Sequence, residues 1–314
     1  MFLACFKNVL FGVLLVVYLC IALGNLLIMV AFLTDPTMHT PMYILIFSLA
    51  FLDVMSSTVT LPKLLAVLGS DSGVISITAC FIQMFLYGIL KASEVFLLGL
   101  MAYDRYLAIC KPLHYFTITN NILVWKLITC CWAFAFIIVG TPMTLTIRLP
   151  FCGPNKLVHF FCEHSAVMKL ACGYDIIAVY AGSTLSLGVM VAPLFYILYS
   201  YVRILKSVFT IESSHGRLKA LSTCSSHLLV IFLFYLAGAG VVITSSVPGS
   251  SADVRLLAAL LHNVTPPLVN PIIYCLNTKE MKARFLIIFQ SLVIRLNAIV
   301  RHSSCSLSSK WGRK

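Results

Sequence analysis

The chain has 314 residues, of which 61% are hydrophobic and only 10% are charged, and its mean hydropathy is +1.01. An average soluble domain contains roughly 25% charged residues, so this composition excludes a water-soluble globular protein and indicates a polytopic membrane protein. The net charge of +12 requires no nucleic-acid partner, because a basic collar that faces anionic cytosolic lipid explains it.

Apolar segments of helix-spanning length, about 17–25 residues each, recur along the chain. They lie at about 9–33, 41–65, 77–104, 123–146, 176–203, 220–245 and 254–276. None shows the period-2 alternation of a membrane barrel, and backbone polar groups in lipid must be satisfied within the segment. The predicted fold is therefore an all-α membrane protein, a bundle of seven transmembrane helices.

The first apolar run is longer than the apolar core of a signal peptide, about 7–15 residues, so span 1 is expected to act as its own signal anchor. After span 7, basic residues alternate with an apolar stripe between Lys279 and Phe289. This pattern predicts a short amphipathic helix at about 279–290 on the inner leaflet. We expect a seven-helix domain over 1–290, which includes that helix, and a basic cytosolic tail over 291–314.

Lysines and arginines are distributed unevenly between the two sides of the predicted bundle. Most lie in the loops and the tail on the side of Arg105. The other side carries Lys7, Lys63, Arg148, Lys156, Lys169 and Arg255, and Lys91 lies within span 3. The positive-inside rule therefore predicts an N-terminus outside and a cytosolic C-terminus for this multi-pass protein.

Span 3 ends in an acid and a base, in the run Met101-Ala102-Tyr103-Asp104-Arg105-Tyr106-Leu107-Ala108-Ile109-Cys110. An ionised side chain at the bilayer centre costs roughly 2.5–3.5 kcal/mol on insertion scales, so charges at the end of an apolar helix are interpreted as functional. An ordinary juxtamembrane anchor is the alternative for an isolated Asp-Arg pair.

Several of the twelve cysteines lie well within the predicted spans, where a thiol usually acts as a small hydrophobe. Cys80 lies at the outer end of span 3, and Cys152, Cys162 and Cys172 follow in the long loop between spans 4 and 5. In an oxidising compartment these four are expected to form disulfides, for which three pairings exist. A bond from Cys80 would fold the loop over the bundle as a lid.

The same loop contains His159, Cys162, Glu163 and His164, a set that suggests metal binding. Zinc takes thiolate sulfur, which a disulfide-bonded cysteine cannot supply. We therefore favour a loop held by disulfides, and a metal titration would test the alternative.

Several motifs occur in a fixed order along this seven-helix frame. They are Gly24-Asn25 in span 1, Pro41-Met42-Tyr43 and Leu49-Ala50-Phe51-Leu52-Asp53 in span 2, Met101 to Cys110 after span 3, Ser200-Tyr201 in span 5, Lys219 to Leu228 entering span 6, and Asn270-Pro271-Ile272-Ile273-Tyr274 in span 7. Together with the three-cysteine outer loop, this set resembles the odorant (olfactory) receptor family of rhodopsin-like G-protein-coupled receptors over essentially the whole chain.

The resemblance implies disulfides that join Cys80 to Cys162 and Cys152 to Cys172. It implies a small volatile or water-borne odorant as ligand, and a stimulatory olfactory-type heterotrimeric G protein that raises cyclic AMP. The implied location is the plasma membrane, in the cilia of olfactory sensory neurons. The residues implied in G-protein coupling and switching are Asp104, Arg105, Tyr106, Tyr201, His227, Asn270, Pro271 and Tyr274.

The chain departs from the family pattern at a few positions. The usual Asn-x-Ser/Thr site before span 1 has no counterpart, and the triplet Asn263-Val264-Thr265 falls within span 7. Leu276-Asn277-Thr278 replaces the usual Leu-Arg-Asn, and Tyr235-Leu236 replaces Tyr-Gly. These departures concern the tuning of coupling and the shape of the pocket rather than the class.

Ligand pockets are mostly apolar with a few polar groups that fix orientation. We expect this one among the outer halves of spans 3, 5, 6 and 7, beneath the outer loop. Helical steps back from Arg105 and the outer halves of the other spans give the candidates Met84, Tyr87, Gly88, Lys91, Ser183, Ser186, Tyr235, Val242, Leu260 and Asn263.

Lys91 is the unusual member of that set. A buried lysine either loses its charge or pairs with an acid, and Glu94 lies one helical turn away. Two interpretations stay open: an internal pair of Lys91 with Glu94, or contact between Lys91 and an acidic or carbonyl-bearing odorant.

Asp53 and Glu94 both lie within spans, and two carboxylates in a low dielectric do not readily ionise together. A shared proton or a cation between them would resolve the conflict. The resemblance supports a sodium ion, held by Asp53 and Glu94 with Asn25 and Asn270, since hard cations favour oxygen ligands. Lys91 is the competing counter-charge, and no other cofactor is expected.

Arg105 cannot give up its proton, so a resting bundle must compensate its charge, and Asp104 is the expected partner. Many rhodopsin-like receptors add an acid at the inner end of span 6, where this chain has Leu218-Lys219-Ala220. We therefore expect the resting state to depend on packing and hydrogen bonds around His227, Tyr201 and Tyr274.

Two other functional classes fit the sequence less well than a receptor. Transporters often show repeated halves, and the sequence has no internal repeat. An intramembrane enzyme needs a nucleophile and base or clustered ligands at helical spacing, and the eight histidines are scattered. Ligand-dependent nucleotide exchange on a G protein would support the receptor, whereas ligand-driven flux or product formation would support the others.

Overall fold

The computed structural model describes residues 2–70, 73–152, 155–172, 176–277, 280–288 and 290. Seven long helices in this part of the chain are each apolar enough to cross a membrane. They are α1 (Phe2–Thr34), α2 (Pro41–Ser70), α3 (Ile77–Cys110), α4 (Asn121–Ile147), α5 (Ile176–Phe209), α6 (Ser214–Ser246) and α7 (Ala252–Asn277). The predicted fold, an all-α bundle of seven spans, is confirmed.

Several helices begin at polar side chains that cap free backbone N–H groups, which places their ends outside the apolar spans. The Ser76 hydroxyl accepts from the Ala79 amide at 3.2 Å before α3, and the Asn120 side chain accepts from Leu123 at 2.8 Å before α4. Ser213 does the same for α6. Such caps are worth about 0.5–2 kcal/mol each, and they account for a start of α6 several residues before the predicted span.

α3 is the central helix of the bundle, because it contacts α2, α4, α5 and α6, whereas α1 packs on α2 and α7 at one side. The buried core includes Leu98 and Ala102 of α3 with Phe234 of α6. Large apolar side chains such as Leu23 and Phe232 remain exposed on the outer faces of the helices. That distribution suits a bundle whose surrounding solvent is lipid.

α1 and α7 approach each other closely at Gly24. A Cβ atom at Gly24 would lie 3.2 Å from the Pro271 ring, so a small residue is needed there. Pro271 has no N–H to donate to the carbonyl of Pro267 one turn earlier. The Asn25 amide donates to that carbonyl at 2.9 Å instead, which satisfies a backbone group that lipid cannot.

The chain is helical again at 280–288, inside the predicted amphipathic segment at 279–290. Met281 is fully buried against the core, and Arg284 forms an ion pair with Asp35, which follows α1. The Tyr43 hydroxyl of α2 also donates to Glu280 at 3.3 Å. This segment is therefore fastened to the connection between α1 and α2. The predicted tail at 291–314 lies outside the described residues.

Candidate functional site: an outer cavity and an inner charge cluster

A cavity of about 210 Å³ lies between α3, α4, α5, α6 and α7 under the outer loop. α3 supplies Met84, Gly88, Lys91 and Val95, which are spaced three or four residues apart and so share one helix face. The other walls are largely apolar: they include Val139, Met143, Val189, Met190 and Phe234, with Glu163, His164 and His262 among the polar exceptions.

The structure brings only part of the predicted ligand set to this cavity. Met84, Tyr87, Gly88 and Lys91 line it. The side chains of Ser183 and Ser186 lie outside the described residues. The cavity lining does not include the other four predicted residues, Tyr235, Val242, Leu260 and Asn263.

On α6 and α7 the predicted residues are displaced by one position from those that face the cavity. Phe234 lines it in place of Tyr235, and His262 in place of Asn263. One residue turns the helix by about 100°, so the hydroxyl of Tyr235 points elsewhere and donates to the Met190 carbonyl at 3.2 Å. Sequence position alone does not fix how each helix is rotated about its axis, because packing against the neighbouring helices determines it.

The remaining two predicted positions lie on other faces of their helices. Val242 is 51% exposed, which places it on the outer face of the bundle. Leu260 is half-buried on α7, two residues before His262, and therefore on a different face from the one that reaches the cavity.

Lys91 forms an ion pair with Glu94 at 2.9 Å, and its ammonium nitrogen lies 5.8 Å from the centre of the Phe234 ring. Glu94 is 1% exposed. The internal pair is thus present in the structure, and the same lysine also lines the cavity. An ammonium group has three N–H donors, so the pair does not use all of its donor capacity.

The outer loop is covalently attached to α3 above the cavity. The structure has the disulfides Cys80–Cys162 and Cys152–Cys172, which is the pairing that the family resemblance implied. Gln83 strengthens the attachment, because it accepts from the Cys162 amide at 3.0 Å and donates to the Val59 carbonyl at 2.7 Å. Sequence inspection missed Gln83, since only tertiary structure reveals its partners.

The metal-like set in this loop is committed to other contacts. Cys162 is in a disulfide, His164 hydrogen-bonds the Thr146 hydroxyl at 3.0 Å, and Glu163 caps the short helix His164–Met168. Burial lowers the pKa of both His159 and His164, opposed by the Glu163 charge. Both imidazoles are therefore neutral at pH 7.

A polar cluster occupies the middle of the bundle. Asp53 is fully buried and accepts a hydrogen bond from Asn270 at 2.9 Å. One oxygen each of Asp53, Asn270 and Asn25 is buried without a hydrogen-bond partner in the described structure. Glu94 is not free to join them, because it pairs with Lys91. Oxygens left in this state are chemically suited to a hard cation, and buried polar atoms without partners call for an explanation.

The inner end of α3 holds a buried charge cluster. The Arg105 guanidinium, 8% exposed, donates to Asp104 at 2.5 and 3.1 Å. Tyr115 donates to the other oxygen of Asp104 at 2.8 Å. Burial, together with the Asp104 charge, raises the pKa of Tyr115, so the phenol remains a donor. Tyr115, which begins the short helix Tyr115–Ile118 after α3, is a member of this cluster that sequence inspection missed.

Around this cluster, the structure also joins two of the predicted switch residues. Tyr201 and His227 are 2.7 Å apart in a buried hydrogen bond between α5 and α6. Tyr274 is buried, and its hydroxyl has no partner within the described chain. Tyr106 is half-buried beside the core. A buried phenol without a partner is free to form a new bond when the helices move.

The central helix α3 thus joins a largely apolar cavity at one end of a seven-helix bundle to a buried arginine cluster at the other, as expected of a seven-helix membrane receptor. A family model described as olfactory receptor matches residues 14–291. The chain belongs to the olfactory receptor family, whose members are receptors and not enzymes.

Curated relatives match over most of their length. Olfactory receptor 2A12 of Homo sapiens is 40% identical over 277 residues, which covers 87% of this chain and 88% of the relative. The olfactory receptor-like protein OLF4 of Canis lupus familiaris is 38% identical over 284 residues, or 90% and 91%. Olfactory receptor 10A3 of Homo sapiens is 36% identical over 285 residues, or 91% and 90%.

Proposed function

We propose that the chain binds a small odorant in the cavity at the outer half of the bundle and activates a stimulatory olfactory-type G protein, which raises cyclic AMP. Its N-terminus lies outside and its C-terminus in the cytosol, in the ciliary plasma membrane of olfactory sensory neurons. The observation that carries the proposal is the buried cluster of Arg105, Asp104 and Tyr115 at the opposite end of the helix that lines the cavity.

Activation requires that this cluster opens. In the proposed active state α6 moves outward, which breaks the hydrogen bond of His227 with Tyr201 and frees Arg105 to meet the C-terminal helix of the G protein. Tyr201 and the unpartnered Tyr274 hydroxyl move inward to support it. A ligand drives such a change only through its differential affinity, and about 5.5 kcal/mol moves a 1:99 population to 99:1.

Within the cavity, Lys91 supplies an N–H donor to carbonyl-bearing odorants such as aldehydes and ketones. Its pairing with Glu94 leaves the cavity without net charge at this point, which suits a neutral acceptor. Because Lys91→Met alone would leave Glu94 buried and uncompensated, the informative variant is the double substitution Lys91→Met with Glu94→Gln. Carbonyl odorants should lose potency in it relative to hydrocarbons of equal length, and equal losses would contradict the assignment.

We also propose a sodium ion beside Asp53, as an allosteric ligand of the resting state, supported by the unpartnered oxygens of Asp53, Asn25 and Asn270. The competing proposal is that the Lys91–Glu94 pair leaves Asp53 to be neutralised by a proton. Replacing sodium by choline should raise basal signalling in the native receptor and have no effect in Asp53→Asn. Insensitivity of both proteins would remove the site.

The central experiment is Arg105→Ala, with cyclic AMP measured during a broad odorant screen and receptor counted at the cell surface. Signalling should be lost in this variant. Arg203→Ala is the matched control. Arg203 lies on α5, is exposed, and within the described residues makes one hydrogen bond, at 3.4 Å to the Tyr199 hydroxyl. A surface-expressed Arg105→Ala receptor that signals as strongly as the native one would reduce Arg105 to a membrane anchor.

A further inference from the structure

A second cavity, of about 590 Å³, adjoins the first on its outer side. We call it the outer vestibule. The outer loop and the outer ends of α6 and α7 enclose it, and its polar lining includes Lys156, His159, Ser165, Lys169, Ser245 and Arg255. Tyr87, Glu163 and His262 line both cavities. A ligand that reaches past these three side chains would occupy both spaces at once.

The vestibule carries more positive than negative charge, because three cations and one described acid line it. Lys156, Lys169 and Arg255 are exposed, and within the described chain none of them belongs to an ion pair. Arg255 is positioned by a 3.0 Å hydrogen bond to the Ser250 carbonyl. Asp253 precedes Arg255 by two residues, about 200° around the helix, and does not line the vestibule.

Glu163 is the one acid among the described lining residues, and it offsets one of the three positive charges. It accepts from the Ser165 hydroxyl at 2.5 Å and from the Ala166 amide at 3.0 Å. The loop imidazole, His159, hydrogen-bonds the Phe161 carbonyl and stacks on Phe160. The three cations therefore dominate the electrostatic potential in this space.

The inner cavity is the opposite kind of environment. Its one cation, Lys91, is matched by Glu94, and Asp53 lies buried deeper in the same bundle. A ligand carboxylate placed on Lys91 would bring a further negative charge into a low-dielectric site that already holds these acids, which is unfavourable. The apolar walls of the cavity suit an alkyl chain instead.

We infer that this receptor binds aliphatic carboxylates across both cavities, with the alkyl chain in the inner cavity and the carboxylate in the outer vestibule, facing Lys156, Lys169 and Arg255. The inference rests on the proposed function only in taking the inner cavity as a ligand site. Polar ligand groups would then bind at two positions: neutral carbonyl groups at Lys91 in the inner cavity, and ionised carboxylates in the outer vestibule.

The test is direct binding of radiolabelled heptanoate to the full-length receptor in lipid nanodiscs, with 1-heptanol as the matched neutral competitor. Heptanoate is ionised at neutral pH and should bind more tightly than 1-heptanol. The double variant Lys169→Gln with Arg255→Gln should weaken heptanoate binding about threefold to tenfold, as expected when two exposed ion pairs are lost. The affinity for 1-heptanol should not change, which also reports that the variant is folded.

Two controls test whether the vestibule cations themselves bind the carboxylate. Arg148→Gln removes an exposed charge that lies on the same side but lines neither cavity, and it should leave heptanoate binding unchanged. Raising the choline chloride concentration should narrow the difference between heptanoate and 1-heptanol, because salt screens exposed charges.

Three results would overturn the inference: absent heptanoate binding, equal weakening of both probes in the double variant, or a larger loss of heptanoate affinity in Lys91→Met with Glu94→Gln, which would place the carboxylate at Lys91. The assay contains no G protein. Intact, charge-dependent binding without a cyclic AMP response would therefore count against the proposed function and leave this inference standing.

Discussion

At the inner end of α3 the buried Arg105 charge is paired with Asp104, which Tyr115 also contacts. At the outer end, Lys169 and Arg255 are exposed in the vestibule and form no ion pair within the described residues. Paired, buried charges restrain a conformation, because separating them exposes each to an uncompensated low-dielectric site. Open charges of one sign instead attract ligands of the other. We therefore propose that the two ends of the bundle use charged residues for opposite purposes, restraint inside and recognition outside.

The largest expected effect comes from releasing the outer loop from α3. Cys162→Ser removes a disulfide that joins positions 82 residues apart, and such closures are worth about 2–4 kcal/mol. Cys172→Ser opens a bond of 20-residue separation and should cost less, since loop-closure entropy grows with length. Thermal unfolding of the purified receptor measures both.

Cys20→Ser is the control for these cysteine variants, because Cys20 is a free, exposed cysteine and its loss should not shift the unfolding midpoint. Peptide mapping without reduction shows the linkage independently. If Cys162→Ser unfolds at the native temperature, the lid does not depend on its covalent attachment.

At the inner end, Tyr115→Phe weakens the restraint on Arg105 without removing any charge. It deletes the 2.8 Å hydrogen bond to Asp104, and a bond to a charged group is worth about 1.5 kcal/mol or more. We expect basal cyclic AMP per surface receptor to rise, as the population ratio of active to resting receptor increases about tenfold. Tyr103→Phe, one residue before Asp104, is the matched control, and an equal rise there would show that the hydrogen bond plays no part.

Sequence-based prediction succeeds best where a residue's position follows from its own helix and does not depend on packing against other helices. Hydropathy located all seven spans, and the register of α3 followed from Arg105, so Met84, Tyr87, Gly88 and Lys91 were placed correctly on the cavity wall. Rotation of the other helices depends on packing: Gly88, for example, lies so close to α4 that a Cβ would come within 2.8 Å of Val139. No local pattern encodes that contact.

The same limit accounts for the partners that were missed. Tyr115 contacts Asp104 from a short helix 11 residues further along the chain, Gln83 contacts Cys162 across 79 residues, and Asn25 contacts Pro267 across 242. In the last case the cause is visible in the sequence once the fold is known, because Pro271 frees the Pro267 carbonyl. Each motif was found, but its partner required the tertiary structure.

Acidification should affect the outer loop through its buried imidazoles. The pKa of His159 and of His164 is lowered from the ordinary 6.5, first by burial. Below pH 6.5 these imidazoles bind protons in the unfolded chain but not in the folded loop. Their contribution to the free energy of unfolding is therefore fully present above that pH, and it falls as the pH drops towards the lowered pKa values. His164→Gln should reduce the dependence of the unfolding temperature on pH between about 7.5 and 5.5. An unchanged slope would assign the acid sensitivity to other groups.

The smallest effect on stability is expected for an ion pair on the inner side of the bundle that is partly exposed to solvent. In exposure this pair is intermediate between the buried Arg105 cluster and the exposed vestibule cations. The Arg284 side chain is 36% exposed, and it pairs with Asp35 beside a hydrogen bond from the Thr37 hydroxyl at 2.8 Å. The Thr37 hydroxyl lowers the pKa of Asp35 more than Arg284 does. Thr37→Val should therefore lower the thermal unfolding temperature more than Arg284→Gln does, with Thr37→Ser as the control that keeps the hydroxyl.

Added salt should abolish the Arg284→Gln effect, since exposed ion pairs are screened and contribute little. Added salt should leave most of the Thr37→Val effect intact, because Thr37 is uncharged and salt screens interactions between charges. A large, salt-resistant loss in Arg284→Gln would show that this pair fastens the amphipathic helix as firmly as Asp104 holds Arg105.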